Sequence, residues 1–208
     1  MSWVYARLAD MDITQLDRRT PKGALHFYLQ SVRNALVWKT DGLSERELRT
    51  PRTPTGTNLL GIIKHCANVE AGYFGETFGR SWPEADELVS IAEIEADPQA
   101  DWYATEDQTA QQIIDLYQRV WDFADETITE LPLEAPGLVP WWPADRNQVT
   151  LHWILIHTTV DLARHAGHAD ILREGIDQTA GLGATNSNLP DVDWPAYVAK
   201  LRALAERF

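Results

Sequence analysis

Residues 150–175 read TLHWILIHTTVDLARHAGHADILREG. Thr150 offers a hydroxyl to cap a helix start, Gly175 is a residue that ends helices in a left-handed turn, and between them only Gly167 disfavours a helix. One long helix is predicted. At about 100° per residue, His157, Asp161, Arg164, His165 and His168 share an arc of roughly 100°, with Leu155, Thr159, Leu162, Ala166 and Ala169 on the opposite side. A solvated polar face would cluster charge in the same way, but such faces usually carry Lys and Glu. This arc carries three His, one Asp and one Arg, and it is flanked by Ile154, Val160, Ile171 and Leu172. The apolar flanks predict that the arc faces inward.

Asp161 and His165 are four residues apart and so lie one above the other on consecutive turns. A carboxylate oxygen and an imidazole nitrogen at that spacing can converge on one ion. Neighbouring turns of a single helix cannot surround a metal, so a third ligand has to come from another helix.

The rest of the chain narrows the choices. Its 208 residues, 44% of them hydrophobic, suit one globular domain with or without a tail. With 31 acidic against 18 basic residues the formal charge is −13, which opposes binding to nucleic acid or to anionic membranes. No apolar run follows a basic segment at the start, and none reaches the length of a membrane span. A soluble, cytoplasmic protein is expected. One Cys excludes an internal disulfide and a Cys-rich zinc site, so any metal must be held by His and carboxylate.

Outward from the key helix, Thr20-Pro21 followed by Leu25, Leu29, Val32 and Leu36 predicts a first helix ending near Trp38, preceded by an arm that contains Trp3, Tyr5 and Leu8. Ser44 and Glu47 sign a short helix, and PRTPTGT then interrupts regular structure until Thr57. A second long helix is predicted from Asn58 to about Phe78, apolar over a broad arc that includes His65. A histidine there suits a hydrogen-bonded core residue as well as a ligand. Glu70, the other polar residue of that arc, would either orient the groups around His65 or pair with an Arg. Residues 79–104 read as a long connection that packs over one end of the bundle or gates a site. Thr105 and Gln108 predict the start of a third helix that Pro132 stops. The loop LPLEAPGLVPWWPADRNQV then brings Trp141 and Trp142 to the start of the key helix, to cover a site or to plug the core. No alternating strand is evident. After Gly175, DQTAGLGATNSNLP has linker composition, and Asp193 with Pro195 opens a terminal helix whose apolar side, Tyr197, Val198, Leu201 and Leu204, needs the bundle or a second subunit to rest on. The expected organisation is a bundle with its arm over residues 1–178 and a linker with its helix over 179–208.

Four long helices with irregular connections imply an all-α, up-down four-helix bundle with an extra C-terminal helix. In such bundles metals sit between facing helices, where the second and fourth could supply His65, Asp161 and His165; three ligands leave an open position.

KHCANVEAGYF and TLHWILIHTTVDLARHAGHADILRE, with RHAGHADILRE the most specific part, resemble the DinB-like superfamily of damage-inducible four-helix proteins, in particular an actinobacterial branch related to mycothiol-dependent maleylpyruvate isomerase. The resemblance covers roughly residues 20–178. It implies a divalent metal, nickel or zinc foremost, on His65, Asp161 and His165, with Asp161 standing where the family has a longer side chain. His157 and His168 are alternative ligands. It also implies a low-molecular-weight thiol such as mycothiol as cosubstrate. The expected function is a metal-dependent transferase or isomerase acting on a small molecule, with Arg164 or His168 steadying an anionic substrate; a hydrolase is a variant. The alternatives are a non-catalytic metal-binding or stress-related bundle, as a homodimer for instance, and a plain structural bundle without metal.

Overall fold

The computed structural model describes residues 16–208, so most of the N-terminal arm expected from the sequence lies outside the described residues. Four long helices carry the all-α fold. The first, α1 (Pro21–Trp38), starts where the Thr20 side chain accepts from the Gly23 amide and Pro21 occupies the first turn. The short α2 (Glu45–Arg49) opens on the reciprocal Ser44–Glu47 box. Asn58 caps α3 (Leu59–Phe74). This helix ends a turn earlier than predicted, because Gly75 leaves helical geometry and its carbonyl collects the amides of Phe78 and Arg80 in a 3-10 turn over Glu76–Phe78.

The connection that follows contains a 3-10 turn at Ala85–Glu87 and the short α4 (Ile91–Ala96). The next long helix, α5 (Ala110–Glu130), begins one turn later than predicted. Its box is Thr109–Gln112, whereas Thr105 and Gln108 close a separate turn. Two short strands that the sequence did not announce, β1 (Pro136–Leu138) and β2 (Gln148–Thr150), pair antiparallel and deliver the chain to α6 (Leu151–Asp177). That helix starts on Thr150 as predicted but runs past Gly175. The Arg173–Asp177 ion pair belongs to its last turn, and Gln178 at φ 65° is the left-handed residue that ends it. The distinct C-terminal helix α7 (Trp194–Ala205) starts on the Asp193 cap with Pro195 in its first turn.

Helix α3 packs against α5 and α6, and α1 packs against α6. The core is shared among Leu29 and Leu36 of α1, Ile62, Ile63 and Phe74 of α3, Tyr117, Val120 and Ile128 of α5, and Leu151, Ile154 and Leu162 of α6. An ionic network sits inside this apolar core. The fully buried Arg33 guanidinium donates to Glu70, to Gln30 and, at 2.8 Å, to Asp125. His26 lies 2.8 Å from the same Asp125 oxygen, and the Tyr117 hydroxyl donates to Glu70 at 2.8 Å. Of the two roles open to Glu70 from sequence, its carboxylate takes the pairing with an arginine.

The inward face of α6 is Leu151, Ile154, Leu155, Thr158, Leu162, His165, Ala169 and Leu172. The polar arc is therefore not inward as a whole, as its apolar flanks had suggested. His165 is buried, His157 and Asp161 lie at the boundary, and Arg164 and His168 face out together with the flanking Val160 and Ile171. The stripe centred on Leu155, Leu162 and Ala169 offers more continuous apolar area to the core, and the helix turns that way.

Candidate metal centre

His65 of α3 meets Asp161 and His165 of α6 at the contact between the two helices, with one ligand atom of each side chain within 4.8 Å of the others. His165 Nε2 lies 3.6 Å from Asp161 Oδ1. Ligand arms of about 2.0–2.2 Å at tetrahedral angles separate donor atoms by roughly 3.4 Å, so this spacing suits a shared ion better than a hydrogen bond. Asp161 is the most open of the three side chains, and His165 the most enclosed. The adjacent His165 imidazole holds the Asp161 carboxyl below the usual carboxylate range, helped by His65 and His157 and opposed by partial burial.

His65 is oriented by the long connection. Its Nδ1–H donates to Asp101 Oδ2 at 2.7 Å, which leaves Nε2 as the free lone pair. Trp102 stacks on the imidazole with ring centroids 3.9 Å apart. Helix α3 clamps this segment in place. A Cβ at Gly61 would fall 1.8 Å from the Trp102 carbonyl oxygen, so only glycine admits it there. The Asn58 amide donates to the same oxygen, and the buried Lys64 ammonium donates to the carbonyls of Ala100 and Tyr103, each at 2.9 Å. His165 lacks a comparable outer bond: its Nδ1 is buried without a hydrogen-bond partner, so its tautomer is not fixed as that of His65 is.

One turn along α6 from Asp161, His157 Nε2 lies 3.1 Å from the Tyr73 hydroxyl, and Trp141, Trp142 and Trp153 pack around this pair. Gly72 leaves room for the Trp141 ring, which a Cβ would meet at 2.9 Å. The two tryptophans of the loop thus form an aromatic wall around the Tyr73–His157 pair. Arg164 and His168 point outward, although the His168 ring comes within 5.8 Å of His165. Glu70 is committed to Arg33 and Tyr117 in the core. Cys66 adjoins His65 in sequence but is buried in the core, where burial pushes its thiol well above the ordinary range; it is a packing residue and not a nucleophile.

The donor set of two imidazoles and one carboxylate, with one imidazole held by a second carboxylate, fits a divalent metal ion. Asp101, Trp102 and Tyr73 were not picked out from the sequence. Gly61, a helix-interior glycine one turn before His65, was the available signal that backbone approaches there. Asp101→Ala should keep the fold and weaken zinc affinity by about 10–100-fold, measured by competition with a chromophoric chelator.

Among the described residues no helix is long and apolar enough to cross a membrane. The family model described as Mycothiol-S-transferase matches residues 24–178, which takes in most of α1, the other three long helices and the triad. No curated protein matches the chain significantly. The chain belongs to the Mycothiol-S-transferase family, within the DinB-like superfamily.

Proposed function

We propose that the chain is a metal-dependent S-transferase or isomerase that uses a low-molecular-weight thiol, with His65, Asp161 and His165 holding nickel or zinc. The convergence of these three side chains carries the reading. A bound divalent ion would lower the pKa of a thiol brought to its open position. The chain's own residues do the rest. Asp101 keeps the His65 proton on Nδ1, and Trp102 screens that imidazole from water. Tyr73, Trp141 and Trp142 give the small-molecule acceptor an apolar wall beside Asp161, with the Tyr73–His157 pair as its polar edge. Arg164 and His168 lie on the outer rim, where they meet an anionic substrate on its approach.

The test is consumption of mycothiol, or of a simpler thiol, against a panel of electrophiles, with metal-loaded and chelator-stripped protein. Thiol-dependent turnover that disappears on stripping and in His165→Ala supports the reading. Turnover indifferent to metal sinks it. Asp161→Glu should hold or raise zinc affinity, because the extra methylene restores the reach the family uses, whereas Asp161→Ala should weaken it by less than His165→Ala does.

A metal-holding bundle without turnover would use the same three ligands. Stoichiometric metal with no thiol consumption would favour that reading.

A further inference from the structure

The outer face of α6 is apolar along most of its length. Trp153, Ile156, Val160, Ala163, Gly167 and Ile171 recur every three or four residues and are all exposed, Val160 at 65% and Ile171 at 71%. A helix apolar on both faces ordinarily has neighbours on both. Helix α7 has the complementary problem. Trp194, Tyr197, Val198, Leu201 and Leu204 fall on one arc of about 120°, yet each is at least 40% exposed and no residue of α7 is buried.

We propose that α7 of one copy of this chain docks on the outer stripe of α6 of a second copy, and that the second copy returns the contact about a two-fold axis. Three observations choose this occupant. The first is charge: residues 194–208 carry Lys200, Arg202 and Arg207 against Glu206 alone, in a chain whose formal charge is −13. On the wheel these cations flank the apolar arc, and the exposed Glu174 lies at the C-terminal end of the α6 stripe, beyond Asp170, which Lys39 of the same chain already holds. The second is the path of the chain. After Asp177 it is held at the end of α1, where Lys39 Nζ donates to the Gly181 carbonyl and pairs with Asp170, and beyond this anchor α7 buries none of its residues. The third is area. Each copy contributes both its α7 arc and its α6 stripe, whose large apolar residues are 40–71% exposed, and the two together are of the order of the roughly 800 Å² per partner of a standard interface. Ala163 and Gly167 in mid-stripe admit close helix approach, and reciprocal exchange closes the assembly at two copies.

Sedimentation equilibrium of the full chain should give twice 23.5 kDa. Leu201→Asp on α7 and, separately, Val160→Asp on α6 should each weaken the dimer by about a hundredfold or more while leaving far-ultraviolet dichroism unchanged. A Val160→Cys/Leu201→Cys chain should oxidise to a disulfide-linked dimer, since Cys66, the one native thiol, is buried. A monomeric wild type overturns the proposal, and so does a wild type that is monomeric and co-sediments with phosphatidylglycerol vesicles, the behaviour of a basic amphipathic helix on an anionic surface. A dimer sensitive to Leu201→Asp but not to Val160→Asp overturns it too, as does a disulfide formed within one chain. None of these outcomes depends on the metal centre.

Discussion

His165→Ala loses more than about a hundredfold in affinity for zinc or nickel, a larger effect than any outer-shell substitution gives. The imidazole is the most enclosed of the three side chains and approaches both His65 and Asp161, so its removal leaves two ligands from different helices and nothing to bridge them. Isothermal titration on untagged protein measures it, and equal affinity in wild type and variant would remove the assignment. A metal takes only the neutral form of an imidazole, so affinity should fall on the acid side with a limiting slope of about two in wild type. His65→Ala should reduce that slope to about one if both histidines hold the same ion.

The second large effect is on stability. Arg33→Met should cost about 3–5 kcal/mol, because Glu70 and Asp125 stay buried without their cation. At about 2–4 °C per kcal/mol for a chain of this size, the midpoint of thermal unfolding should fall by roughly 10 °C. Adding Glu70→Leu should recover part of the loss; a double variant as destabilised as the sum of the singles would show that the pair is not coupled. The two carboxylates respond to acid with opposite signs. Burial works to raise the Asp125 pKa, but Arg33 and His26 outweigh it and the carboxyl ends below its ordinary value. Its contribution is therefore present above the unfolded pKa near 3.9 and is lost as pH falls through the folded value. Burial holds Glu70 above its ordinary value despite Arg33 and Tyr117, so its ionisation costs stability at neutral pH, and protonation in mild acid relieves that cost. Denaturant midpoints in wild type and Arg33→Met across mild and strong acid would separate the two.

The bundle was legible in the sequence because caps and helical spacing agreed over each long element. Thr20, Ser44, Thr150 and Asp193 all cap where they were expected to. The misreadings came where local chemistry offered two equal choices. Thr105–Gln108 and Thr109–Gln112 are the same box one turn apart, and packing selects the later one. Gly175 looks like a stop, yet a glycine tolerates helix, and the next left-handed residue is Gln178. The triad could be reached from spacing because two of its members share a helix. Asp101 could not: it sits in an irregular connection 36 residues from His65, and only the folded clamp of Asn58, Gly61 and Lys64 brings it there. The orientation of α6 was misjudged because an apolar flank does not say whether the core or a partner covers it.

That clamp also links the order of the connection to the chemistry of the site. The carboxylate that sets the His65 tautomer belongs to a segment held by three hydrogen bonds from α3 and one stacked ring, so His65 has the correct proton arrangement only while residues 100–103 are docked. Local opening of this segment and release of a bound ion would then be one coupled equilibrium, and an ion that bound the docked form would protect the backbone amides there from hydrogen exchange in step with its affinity.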